Sequence, residues 1–167
     1  MTYFTERQRF TQWWIWAVLI GPVVLFWYGA FRQLVLAVPW GNHPAPDVVL
    51  FVLWLLGGLV LPGLLLGVHL RTEVRDDGVY VRFAPFQRRF RSWRFVDIGA
   101  IAPRDYAPVG EFGGWGVRQG VSGTAYNVKG RKGIQLVLRT GQRVLIGTQR
   151  PDRFMAAVDR ARAASSS

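Results

Sequence analysis

From Trp13 to Phe31 the chain runs for 19 residues without a charge, and from Val48 to Leu70 for 23 more with only His69 able to ionise. A helix needs about 20 apolar residues to cross a bilayer core, and each run meets that length. Neither run carries the polar stripe of a buried soluble helix. The spacing predicts two transmembrane helices, at about residues 13–38 and 47–70, joined by the short proline-containing turn "VPWGNHPAPD". The first run is too long for a signal-peptide core of about 7 to 15 residues and is followed by no A-x-A site, so it reads as a retained anchor.

Positive charge is distributed unevenly around these runs. Arg7 and Arg9 precede the first, Arg32 lies between them, and 18 of the 21 basic residues follow Leu70. The positive-inside tendency then puts both termini in the cytosol and the turn outside. Arg32 would snorkel at the outer surface, with Trp13, Trp14 and Trp16 as one interfacial belt and Trp40 as the other. An Arg-to-Lys ratio of 19 to 2 points to a GC-rich bacterial genome and hence to the bacterial inner membrane.

Small residues suggest how the hairpin packs. Gly63 and Gly67 form a G-x-x-x-G, and Ala17 and Gly21 make a comparable small face on the first helix. Such faces let helices approach closely in lipid. The expected use is packing of the two helices on each other, with a homodimer or a second membrane protein as the other occupants. No carboxylate of the transporter kind lies within either run.

Beyond Arg71 the apolar period changes from helical to two. "VYVRF" after Asp76–Gly78 reads as a strand following a tight turn, and "QRRFRSWRF" as a second. "GIQLVLRTGQRVLIGT" is a hairpin, with Ile134, Leu136, Leu138, Val144 and Ile146 inward and Thr140-Gly141 turning. "PDRFMAAVDRARAA" opens on Pro151 and aligns Phe154, Ala157, Val158 and Ala161 on one helical face. The expected class is α+β: a helical hairpin, then six or seven strands in an antiparallel sheet or barrel capped by a C-terminal helix. Residues 1–12 would be a cytosolic N-terminal segment, 71–163 the cytosolic domain and 164–167 a disordered tail.

The pieces "TEVRDDGVYVRFAPF", "FGGWGVR", "AYNVKGRKGIQLVL" and "LIGTQRPDRF" resemble a family of small bacterial membrane proteins without assigned function. In that family a two-helix hairpin precedes a bacterial PH-like domain. The resemblance spans about Gln8 to Arg160 and implies architecture, with no activity or site to carry over.

The glycine-rich stretch from Gly110 to Gly133 invites a phosphate-loop reading, which its spacing refuses. G-x-G-x-x-G is not met and no helix pattern follows, and the Walker pattern is absent. "GRKG" at 130–133 has strand-like flanks rather than the helices of a KH loop. The stretch is expected to be architectural, with Gly113 and Gly114 bending the chain so that Trp115 enters the core.

Catalytic chemistry has little to work with. The chain has no cysteine, and His43 and His69 fall at distant points of the predicted topology, so neither a metal centre nor a Ser-His triad can be assembled. Asp97, Asp105 and Glu111 are the only carboxylates that suggest an acid/base pair. No cofactor and no small-molecule substrate is expected, and the domain is expected not to be an enzyme.

Net charge points elsewhere. From Arg71 on there are 18 Lys/Arg against 8 Asp/Glu, a balance of about +10. Arg88, Arg89, Arg91, Lys129, Arg131 and Lys132 are the expected contacts to anionic lipid or to a membrane protein partner. Nucleic acid, with Trp93 or Phe90 stacking on bases, is the less favoured partner, because the chain shows no recognition helix. The expected function is an adaptor or accessory at the cytosolic face of the membrane.

Overall fold

The computed structural model describes residues 1–120 and 122–165. The chain divides into two units, one made of Thr11–Gly67 and the other of Met1–Phe10 together with the chain from Val68 on.

The first unit is the helical hairpin. Helix α1 spans Trp13–Val35 and helix α2 spans Asp47–Gly67, with mean hydropathies of 1.8 and 2.6. Only 11% of each apolar window is buried within the protein. The helices are long and apolar enough to cross a membrane. Both widen into a π-helical segment, at Phe31–Val35 and at Trp54–Val60. The Gln33 amide closes the turn by donating to the Ala45 carbonyl and to Asp47, each at 2.7 Å.

The helices meet through glycines other than those expected. A Cβ on Gly57 would sit 2.4 Å from the Phe26 ring, and Trp27 Nε1 donates to the Gly58 carbonyl at 3.1 Å. Trp27 and Trp54 pack edge to face at 5.3 Å. At Gly21, Gly63 and Gly67 an added Cβ would meet nothing within 4 Å, and Ala17 is exposed. The G-x-x-x-G is therefore not the contact between the two helices. The aromatic side chains decide this, because Phe26 and Trp27 need the flat surface that Gly57 and Gly58 supply.

The second unit begins with a strand, which lies within the residues expected as a separate N-terminal segment. Strand β1 (Thr2–Arg9) pairs antiparallel with β2 (His69–Arg75), which pairs with β3 (Gly78–Ala84) and β3 with β4 (Arg91–Arg94). Arg9 and His69 are ladder partners, so the whole helical hairpin is inserted at the end of the β1–β2 ladder. His69 and Leu70, expected as the end of the second helix, belong to β2, because Leu70 alternates with Thr72 and Val74 toward the core.

The other sheet has the order β5-β8-β9-β7-β6, with β5 Ile98–Asp105, β6 Gly116–Gly120, β7 Gly123–Asn127, β8 Lys132–Leu138 and β9 Arg143–Gly147. Strands β5, β8 and β9 are antiparallel, and β8–β9 is the hairpin that alternation predicts. β7 runs parallel to β9, so the sheet is not purely antiparallel. The two sheets do not close into a barrel; each keeps its own edges.

Helix α4 (Pro151–Ser165) packs on β1, β2, β5 and β8 through Phe154, Ala157, Val158 and Ala161, all buried. One core joins these to the inner faces of both sheets. The helix runs through Ala164 and Ser165, which were expected in a disordered tail; the rest of that tail, 166–167, lies outside the described residues.

A second, smaller core lies around Leu145 and Ala125. There the short helix α3 (Pro108–Phe112) places Phe112 edge to face with Tyr106 at 6.1 Å. Phe112 is the residue that enters the interior, while Trp115 is half-buried. Gly113, in the left-handed conformation at φ 68°, ends α3 and allows this.

Candidate functional site

The six expected contact residues fall in two places. Arg88 and Arg89 are exposed in the connection between β3 and β4, and Arg91 is exposed at the start of β4. Arg91 lines an open groove of about 270 Å³ with Trp93, Thr124, Tyr126, Gln142 and Val144. Lys129 and Arg131 lie in the turn before β8, and Lys132 opens that strand. Lys132 is the ladder partner of Asp105, close to where Gly133 faces Gly147. Arg91 thus lies beside the start of β9 and Lys132 beside its end, and the two groups do not form one cluster.

Around Arg131 and Lys132 is an open groove of about 480 Å³, also lined by Asp105, Tyr106, Ala107 and Glu111. Glu111 is engaged twice: it pairs with Arg104 and accepts from the Ala107 N–H at 2.9 Å. Its role is to hold α3 on β5. Asp97 sits apart in the short turn before β5, where its carbonyl accepts from the Arg139 N–H at 2.9 Å. Burial pushes the Tyr106 phenol above its ordinary range, with the nearby Asn127 side chain a smaller opposing influence. Among the described residues no three His, Asp or Glu side chains are grouped to hold a metal.

Residues that sequence reading missed gather on the outer face of the β1–β4 sheet. Arg71, Glu73 and Arg75 alternate outward from β2, Tyr80 and Arg82 from β3, and Arg7 and Arg9 from β1. The buried Glu73 carboxylate is held by Arg71 Nε at 2.7 Å and by Arg75 Nη2 at 2.7 Å. The Glu73 hydrogen bond raises the Arg75 pKa against the opposing effect of burial. Phe90 lies across this face, its ring 5.0 Å from the Arg82 guanidinium, 5.2 Å from that of Arg75 and 5.9 Å from that of Arg71. Trp93 turns the other way and packs edge to face on Tyr126 at 5.7 Å. The signal for this face was present in the alternation of "HLRTEVR" and "VYVRF", but β1 had to be recognised as a strand to complete it.

These features define an α+β protein in which an apolar two-helix hairpin interrupts a sheet domain that has an arginine-rich outer face. The chain belongs to DUF6141, a family of unknown function, whose model matches residues 2–165. That match takes in β1, both helices and α4 together. No curated protein and no solved structure matches the chain.

Proposed function

We propose that the protein is a non-enzymatic, two-span protein of the bacterial inner membrane that displays a basic PH-like domain at the cytosolic face, as an adaptor or accessory for anionic lipid. The observation that carries this reading is the β1–β2 ladder. Strands on either side of the hairpin pair with each other, so both ends of the hairpin return to one side of any membrane it enters. Two spans with a short turn at 36–46 satisfy that requirement, and the excess of arginine in the domain selects the cytosolic side.

The PH-like description is supported by strand order. β1 to β4 form one antiparallel meander, β5, β8 and β9 a second, and α4 covers the core between them. On this reading the hairpin is an insertion between the first two strands, and α3 with β6 and β7 an insertion after the fifth. The non-enzymatic part is supported by the engagement of Glu111 with Arg104 and by the separation of Asp97 from Asp105. Arg88, Arg89 and Arg91 are the proposed lipid-side contacts, with Lys129, Arg131 and Lys132 available to an acidic protein partner.

The absence of cysteine makes the topology directly testable with single introduced thiols. In intact cells an impermeant maleimide should label His43→Cys in the turn, and should label Ser92→Cys on β4 only after permeabilisation. Labelling of Ser92→Cys from outside would overturn the orientation, and recovery of the chain in the soluble fraction would overturn the membrane reading.

A further inference from the structure

Ladder register sets Arg7, Arg71 and Arg82 directly opposite one another on three adjacent strands. With strands about 4.8 Å apart, three guanidinium stems leave one sheet face as a row roughly 10 Å long. Like charges directly opposite each other weaken a sheet. Internal compensation covers only part of the row. Glu73 pairs with Arg71, and Arg7 Nη2 reaches His69 Nδ1 at 3.3 Å. Among the described residues no carboxylate pairs with Arg7 or Arg82, and Arg82 Nε is buried without a hydrogen-bond partner. The Phe90 ring contacts the guanidinium groups of Arg71 and Arg82 without neutralising them.

The row also has a position. Two positions further along the ladder, on the same face, is Arg9–His69–Ala84, where β1 leads toward Trp13 and β2 arrives from Gly67. Only Phe10, Thr11 and Gln12 separate β1 from the first apolar helix, and Val68 alone separates the second from β2, so both links from this end of the ladder to the hairpin are short. Immediately after Ala84, at the same end, Phe86 is stacked on Phe83 yet remains 67% exposed. An exposed aromatic ring at the same end of the sheet as arginines that lack a carboxylate partner suits a surface that is anionic outside and apolar beneath.

We propose that Arg7, Arg71 and Arg82 bind the phosphate of an anionic phospholipid headgroup. Arginine forks suit phosphate oxygens better than lysine ammonium groups do. Phe86 enters the apolar layer beside the headgroup. The assignment rests on the membrane reading above and adds the ligand class and its residues.

The test uses the full chain in neutral detergent micelles, titrated with dioctanoyl phosphatidylglycerol, dioctanoyl phosphatidylcholine and inorganic phosphate. Saturable binding of the phosphatidylglycerol is expected, weakening as salt rises. An Arg7→Gln/Arg82→Gln variant should lose at least tenfold in affinity, while Arg153→Gln/Arg160→Gln on the exposed side of α4, an equal loss of charge, should not. Because the row opposes folding, the first variant should melt no lower than the parent; Arg82→Lys, which keeps the charge, should still weaken binding. Equal binding of the phosphatidylcholine, or equal loss in both double variants, would overturn the site. Inorganic phosphate binding as tightly as the lipid would overturn the lipid assignment. Failure of the membrane reading would appear in the thiol-labelling experiment and would leave this titration unchanged.

Discussion

Thr148 Oγ1 donates to Glu6 Oε2 at 2.5 Å, joining β1 to the residue after β9 across 142 positions of sequence. The Gln149 N–H adds a bond to Glu6 Oε1 at 3.0 Å, and the Gln8 amide donates to the Gly147 carbonyl at 2.7 Å. Glu6 and Gln8 share the inner face of β1 with Phe4, so the strand is held by one aromatic contact and a polar clasp.

Thr148→Val keeps the side-chain volume and removes the hydroxyl. It leaves a buried carboxylate one donor short and costs the Arg150 N–H its acceptor at 3.1 Å. A loss of about 1–3 kcal/mol is expected, read by thermal unfolding in detergent. Thr5→Val, on the exposed side of the same strand, should change stability by less than about 0.5 kcal/mol.

Phe112→Ala empties the small core beneath α3. The site is peripheral, so a loss of about 3 kcal/mol, the low end for such truncations, is expected. Hydrogen exchange should quicken in α3 and β6–β7 while β2 and β3 keep their protection. Uniform loss of protection would show that the two cores are one cooperative unit.

Gly57→Val and Gly63→Val should separate the two roles of glycine in α2. The first forces Phe26 from its position and is expected to cost about 1–3 kcal/mol. The second meets open space and should leave the hairpin intact. Equal sensitivity would mean that Gly63 faces another helix in the membrane.

Alkaline pH should destabilise the sheet domain. Burial is the chief cause that holds the Tyr106 and Tyr126 phenols above their usual range. Unfolded tyrosines ionise near pH 10 while the folded ones stay neutral, so stability is flat below that point and falls as pH rises through it. Melting temperatures between about pH 8 and about pH 11 should show this decline, and Tyr106→Phe should lessen it. A melting temperature that climbs across that interval would contradict the sign.

What could be read in the sequence was whatever one segment decides alone. β8 and β9 alternate cleanly because Ile134, Leu136, Val144 and Ile146 need only face a common interior, and α4 repeats its four apolar residues at helical spacing. β1 could not be read, because the inward positions of "TYFTERQR" include Glu6 and Gln8, whose partners lie at the far end of the chain. Trp115 drew attention by size, yet the turn at Gly113 sends Phe112 inward. The G-x-x-x-G drew attention by spacing, whereas Gly57 and Gly58 are chosen by the rings of Phe26 and Trp27. The arginine row was hidden for the same reason as β1: one of its three members sits on a strand that only the ladder reveals.

The pairing of β1 with β2 also sets an order of assembly. During synthesis β1 emerges before the hairpin and β2 and has no ladder partner until they have followed, and its clasp must wait for Thr148. Contacts between distant positions form slowly because the intervening chain must first be closed into a loop. On the proposed two-span reading, insertion of α1 and α2 would make that closure in advance, delivering the ends of β1 and β2 side by side. The bilayer would then act as a folding template for the domain outside it, and a chain denied insertion would leave its first strand open to pairing with other molecules.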